Sequence, residues 1–281
     1  MTHSRPTIRE LLDSRSLAPR RDLGQNFVAD PNTVRRIADL ARVGAGDGVV
    51  EIGAGLGSLT LALADTGADI TAIEVDRGVV PVLRDVVADR SNVTVVEADA
   101  MSLDWHRLLA GDGEHGTGWV LVANLPYNVA TPLICDLLDD VPEIGRMIVM
   151  VQREAAERLA ARPRTPAYGA VSVKVAYWAT ARIVGHVPAS VFVPRPNVES
   201  SLVEIERHDP PATDPNLVFD LVRTAFGQRR KMLRKSLAGT VAPEAYTAAG
   251  IDPTARPEEL DVAAWCRLAE ARTAAAAGGP S

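Results

Sequence analysis

The run VVEIGAGLGSLTLALA sets Gly53, Gly55 and Gly57 between a strand-like and a helix-like pattern. Glycine lets the backbone turn tightly there and come close to a ligand. A dinucleotide would need a pyrophosphate seat and glycine at 53, 55 and 58, but position 58 is Ser58. GxGxG preceded by Glu51 fits S-adenosylmethionine (SAM) better, because that cofactor has no phosphate to hold. Glu74 ends the next strand-like run, where a carboxylate can accept both ribose hydroxyls, and Asp99 closes VVEAD at the following strand end, placed to accept from the adenine amine. Alone, a glycine motif reads equally well as a plain turn; three motifs in register at successive strand ends favour the cofactor.

The fourth such run ends in Asn124-Leu125-Pro126-Tyr127. An exocyclic ring amine is a poor nucleophile because its lone pair is delocalised. The Asn124 side-chain oxygen and the Leu125 carbonyl can both accept from such an amine and draw density toward a methyl donor. Pro126 fixes that backbone. Tyr127 offers a face for a base, worth about 1 to 3 kcal/mol. No general base is needed, because the sulfonium charge is neutralised as the methyl leaves and the proton departs afterwards. Catalysis would be positioning plus electrostatics. Downstream, FVPRPNVES is a proline-stiffened loop whose Phe192 either closes over the base opposite Tyr127 or is a core phenylalanine.

The elements that must position these residues alternate in type. Strand runs at Gly48–Ile52, Ile70–Glu74, Val93–Glu97, Trp119–Ala123 and Arg146–Gln152, with further alternating runs at Ala170–Ala179 and Leu202–Glu206, make seven strands. With helical segments between them, including Ser58–Ala64 and one capped by Asp30 with Pro31 at its first position, they predict an α/β fold: a Rossmann-like, seven-stranded, mostly parallel sheet. A small all-helical C-terminal domain is expected to follow. The divisions are a flexible basic N-terminal arm (1–22), a cofactor-binding domain (23–207), a proline-rich linker (208–216), the helical domain (217–272) and a disordered tail (273–281).

Composition bounds the class. The 281 residues carry 30 Lys+Arg against 36 Asp+Glu, a net charge of -6, which argues against a uniformly basic nucleic-acid binder but not against a local patch. Such a patch exists: Arg223, Arg229, Arg230, Lys231, Arg234 and Lys235 fall within thirteen residues without an acid. Val222, Phe226, Leu233 and Leu237 would form the buried stripe of a basic helix tracking phosphates. Arg5, Arg9, Arg15, Arg20 and Arg21 give the arm a weaker basic character, equally readable as a solvated face. Cys135 and Cys266 form no pair motif, and His3, His106, His115, His186 and His208 have no ligand spacing, so no metal is expected. No apolar run approaches the roughly 18 residues of a membrane span, and a cytoplasmic monomer is expected.

Taken in order, LGQNF, VEIGAGLGSLT, AIEVD, VEADA, NLPYNVATPLI, QREAAERL, FVPRPNVESSLV and AFGQRRKMLRKSL resemble the KsgA/RsmA family of small-subunit rRNA adenine N6,N6-dimethyltransferases across residues 20 to 240. The resemblance implies a class I SAM-dependent methyltransferase that dimethylates two adjacent adenines in a hairpin near the 3′ end of 16S rRNA, on an assembling 30S subunit. It also implies that Asn26 and Val28 touch the methionine side of the cofactor, Gly53 its loop, Glu74 the ribose and Asp99 the adenine. Asn124, Leu125, Pro126 and Tyr127 would hold the amine, with Phe192 on the other face of the base. Asn197-Val-Glu199 departs from the family's usual Lys-Val-Asp. Two alternatives are an Erm-like 23S rRNA adenine N6-methyltransferase, which lacks as good a match in the FVPRPNVESSLV and AFGQRRKMLRKSL segments, and a ribosome-assembly binding factor with secondary methylation.

Overall fold

A computed structural model describes residues 2–110 and 118–277; His115 lies outside them. The chain forms two compact units, one of Met1–Ala156 with Arg182–Arg207 and one of Glu157–Ala181 with His208–Ser281. The expected boundary at 207 therefore misses an excursion: residues 157–181 belong to the second unit.

The first unit opens with helix α1 (Arg5–Ser14), whose N-cap Ser4 accepts from the Thr7 amide. Strand β1 (Phe27–Val28) leads to α2 (Pro31–Ala41), where Asp30 accepts from the Asn32 and Thr33 amides and Val34, Ile37, Ala38 and Ala41 form the buried stripe. Then come β2 (Gly48–Ile52), α3 (Ser58–Ala64), β3 (Asp69–Glu74), α4 (Val80–Val86), β4 (Val93–Glu97), α5 (Trp105–Leu109), β5 (Trp119–Asn124), α6 (Ala130–Asp140) and β6 (Ile144–Gln152). Helices α7 (Arg153–Leu159) and α8 (Ala170–Trp178) follow, then β7 (Ala179–Val187), β8 (Phe192–Val193) and β9 (Ser200–Arg207). The main sheet has the order β4-β3-β2-β5-β6-β9-β7, and β1 pairs with β8 in a separate two-stranded ribbon. Strands β2 to β6 pair parallel while β9 runs antiparallel to β6. Every residue of β2 is buried, as a central strand covered on both faces requires. The order reverses beside β2, so the ends of β2, β3, β4 and β5 open onto one crevice.

Two expectations about these elements fail. Residues 170–178 are helical, not a strand. Their alternation misleads because Ser172, Val173, Val175 and Tyr177 are all buried, so the helix shows no clean polar face, and tertiary contact overrides β propensity. The seventh strand is β7, whose half-exposed sequence and Gly185 masked it. Nor is the N-terminal arm a loose basic tether: Ile8 and Leu12 are buried against Leu56, Val79 and Val82, and Arg15 pairs with Asp85.

In the second unit, α8 packs in an apolar cluster with α9 (Pro215–Phe226), α10 (Leu233–Ser236), α11 (Pro243–Ala249) and α12 (Val262–Ala277). Trp265 is fully buried at its centre, and the Tyr168 hydroxyl donates to the Leu260 carbonyl at 2.8 Å. Helix α12 runs through residues 273–277, a stretch expected to be disordered; 278–281 lie outside the described residues. The basic segment is not one helix either. It breaks after Phe226 and resumes at Leu233, yet Val222, Leu233 and Leu237 are still buried as the stripe required.

Candidate functional site

The β2 turn depends on its glycines. Gly55 has φ +55°, and a Cβ there would lie 3.1 Å from the Phe27 ring. Gly57 has φ +82° and caps α3, and its Cβ would meet Leu83 at 3.0 Å. Gly53 and Gly55 line a cavity together with Asn26, Val28, Glu51, Glu74, Asn124, Leu125, Pro126 and Tyr127. Gly57 is not among the lining residues. In the structure it makes the turn and packs closely against Leu83 and Val86 of α4.

Glu74 holds the turn. Its Oε2 accepts from the Gly55 amide at 2.7 Å, and its Oε1 from the Val75 and Asp76 amides at 3.0 and 2.9 Å. A carboxylate has about four acceptor positions, so one remains for an incoming hydroxyl without displacing a backbone donor. Burial raises the Glu74 pKa. Glu51 lies beside it on β2, only 2% exposed, and its Oε2 has no hydrogen-bond partner. Burial, reinforced by the Glu74 charge, pushes its pKa up to about 8. A buried acid with an unpartnered oxygen on a cavity wall suits a cationic ligand group.

A second cavity shares the walls Leu23, Gly53, Val75 and Pro126 and adds Ile73, Asp99 and Met101. Asp99 is fixed by the Met101 amide, which donates to its Oδ1 at 2.9 Å. Val75 and Met101 are exposed large apolar residues flanking this space, as a flat aromatic ligand would need. Together the cavities offer apolar walls near Asp99, a hydroxyl acceptor at Glu74 and a buried acid with one unpartnered oxygen at Glu51, a set that fits an adenine nucleoside carrying a charged amino-acid end.

At the end of β5, the Asn124 Nδ2 donates to the Asn26 carbonyl at 2.9 Å. The nitrogen side of the amide is thereby committed, and Oδ1 is left as the acceptor. The Asn26 side chain in turn donates to the Gly24 carbonyl at 3.0 Å, and Gln25 Nε2 donates to Asp76 at 2.8 Å. The segment before β1 is thus tied to the β3 end as a wall of the crevice. Leu125 is buried, and its amide donates to the Met150 carbonyl at 3.1 Å.

Tyr127 is half-buried, with its hydroxyl 3.0 Å from the Ser200 Oγ at the start of β9. Phe192 departs from expectation. It is 1% exposed, packed among Val34, Ile37, Val187 and Leu202, and does not line the cavity. Its ring belongs to the core, so the face opposite Tyr127 is not supplied by Phe192 in this structure.

In the second unit, Arg223, Arg230, Lys231, Arg234 and Lys235 reach solvent. Arg229 is different: its guanidinium donates to Glu258 at 2.7 Å and to the Pro166 carbonyl at 2.9 Å. It anchors the turn between α9 and α10. Sequence reasoning did not assign a site role to His3, Gln25, Glu51 or Ser200. Glu51, just before the glycine motif, and Gln25, within LGQNF, carried a local signal; His3 and Ser200 reach the site through long-range contacts. Among the described residues, no group of three His, Cys, Asp or Glu side chains could hold a metal ion, and no helix is long and apolar enough to cross a membrane.

A glycine turn after β2, acids closing β3 and β4, and Asn-Leu-Pro-Tyr closing β5 of a sheet in this order define a class I methyltransferase. The family model for ribosomal RNA adenine dimethylase matches residues 17–273, and the chain belongs to that family of rRNA-modifying enzymes. It is 46% identical to ribosomal RNA small subunit methyltransferase A of Cutibacterium acnes, over 96% of this chain and 94% of that one. The corresponding protein of Corynebacterium diphtheriae is 44% identical, with 95% and 94% covered. Among solved structures, the 23S rRNA methyltransferase ErmE superposes with a TM-score of 0.66 at 26% identity, covering 88% of this chain and 100% of that one. A dimethyladenosine transferase from Plasmodium falciparum shares the fold, with a TM-score of 0.70 at 23% identity, over 85% of this chain and 94% of that one.

Proposed function

We propose that the chain transfers methyl groups from SAM to the N6 amines of two adjacent adenines in a hairpin near the 3′ end of 16S rRNA, on an assembling 30S subunit. The carrying observation is the orientation of Asn124: with its Nδ2 held by the Asn26 carbonyl, Oδ1 is the atom that accepts from an amine. SAM supplies an electrophilic methyl group on a sulfonium centre. The chain supplies position and polarity. Asn124 Oδ1 and the Leu125 carbonyl accept the two N6 hydrogens before the first transfer and the one that remains before the second, turning the nitrogen lone pair out of conjugation and toward the donor. Tyr127, its hydroxyl tethered to Ser200, presents its ring to the base. In-line placement of this kind supplies roughly 7 to 11 kcal/mol of a methyl-transfer barrier. The proton leaves after transfer, so no general base is assigned.

Glu74 and Asp99 hold the ribose and adenine of the cofactor, and Glu51 with Asn26 and Val28 faces its amino-acid end. The solvent-facing Arg223, Arg230, Lys231, Arg234 and Lys235 track phosphates. The identities of 44% and 46% to small-subunit enzymes, against 26% to the large-subunit enzyme, favour 16S over 23S rRNA. The test is incubation with unmethylated 30S and, separately, 50S subunits and labelled SAM, with the product mapped by mass. Label in two adjacent adenines of the 30S particle is expected. Incorporation confined to the 50S particle overturns the reading.

A further inference from the structure

The N-terminal segment reads in sequence as a charged arm, but the structure ties it down in three ways, two of them at walls of the cofactor cavity. The His3 Nε2 lies 2.8 Å from the Leu56 carbonyl in the middle of the glycine turn, and the His3 amide donates to the Ser58 Oγ at 3.0 Å. Two residues on, Arg5 donates through Nη2 to the Ser190 carbonyl at 2.7 Å and through Nη1 to the Phe192 carbonyl at 3.4 Å. One turn later, Ile8 and Leu12 are buried against Leu56, Val79 and Val82. His3 and Ile8 also line the same cavity as Asn26, Glu51, Glu74 and Asn124.

A hydrogen bond to a carbonyl requires the Nε2 of His3 to carry the proton. His3 is 7% exposed, so this bond forms away from competing water. The turn it grips is the one whose Gly55 amide is held by Glu74. The glycine turn is thus clamped at Gly55 by a carboxylate and at Leu56 by an imidazole. Three glycines with positive φ give this turn little stiffness of its own; backbone bonds to the Ile73 carbonyl hold Gly53 and Ala54, and the two side-chain clamps hold Gly55 and Leu56.

We propose that residues 3–12 are part of the cofactor-binding site, with His3 as a positioning residue that fixes the Gly53–Ser58 turn and closes the cavity over a nucleoside bearing an amino-acid end. The proposal rests on the reading of this cavity as the cofactor site. Release of the demethylated cofactor then requires the His3 contacts to open, and the strap sets how fast cofactor is exchanged.

The test uses the full chain. Affinities for SAM and S-adenosylhomocysteine are measured by calorimetry, and dissociation rates by stopped flow, for His3→Ala, His3→Gln, Glu74→Ala and a variant lacking residues 2–14, each with its thermal midpoint. The expected result for His3→Ala is about tenfold weaker binding, mostly as faster dissociation, with KM for SAM rising more than kcat falls. His3→Gln, whose Nε2 can replace the imidazole N–H, recovers most of the affinity. Truncation has at least the effect of His3→Ala. Unchanged binding in His3→Ala, with binding lost in Glu74→Ala, overturns this inference alone. Unchanged binding in both overturns the cofactor reading and this inference with it. Should the truncated chain fail to fold, the His3 pair decides the matter, because a general loss of stability would lower the thermal midpoint of His3→Gln as well and give no recovery.

Discussion

The backbone carbonyl of Asn26 holds the side-chain amide of Asn124 at 2.9 Å across 98 residues of chain. The segment preceding β1 thereby sets which atom of the reactive-loop asparagine faces a substrate. Asn124→Ala is expected to lower methyl transfer by about 10²- to 10³-fold, comparable to removal of one preorganised polar group that touches a reacting atom. SAM affinity, measured by calorimetry, should change only a few-fold. Near-normal turnover would show that amine polarisation is not the source of the rate.

Glu51 links the site to pH. Burial raises its pKa from the ordinary 4.5 to about 8. Between those values the folded chain keeps a proton that the unfolded chain releases, so this group's stabilisation is present below pH 4.5 and is lost as pH rises through about 8. Glu51→Gln removes that dependence. The thermal midpoint of the cofactor-free variant should therefore gain on that of the wild type as pH rises from about 5 to about 8.5. A difference that does not vary with pH would mean that Glu51 is ionised throughout.

The basic residues of the second unit should separate into two kinds. Charge reversal at Arg230 and Arg234 should weaken binding to 30S particles and lower the salt slope by about 0.7 to 0.9 for each phosphate no longer neutralised, with SAM affinity and thermal midpoint unchanged. Arg229→Ala should instead destabilise the chain by about 1 kcal/mol, because it leaves Glu258 without its partner. Equal salt slopes for the wild type and the reversed variant would remove the RNA role.

Phe192→Ala should cost about 3 to 5 kcal/mol of stability, as for a fully buried aromatic ring. Phe192→Leu should keep most of the fold, and methylation by folded protein should remain close to wild type. A large drop in kcat for a stably folded Phe192→Leu would restore the ring to the base-binding role.

The local signals are of a kind that a sequence carries openly. Glycines at 53, 55 and 57, acids at 74 and 99, and Asn124 to Tyr127 announce themselves because each sits at a strand-to-helix junction, where turn chemistry and hydrophobic period change together. The six shared strand positions are legible for the same reason. Residues 170–178 are not, because a helix buried on most sides loses the period that would mark it.

Pairings between distant residues were decided only by the tertiary structure. Nothing near His3 in the chain foretells its bond to Leu56, and nothing near Phe192 foretells the core that encloses it. The division of Arg229 from Arg230 likewise depends on where Glu258 comes to lie. A residue's type fixes what it can bond, and its neighbours in sequence fix the local element; which partner it meets depends on how the whole chain packs.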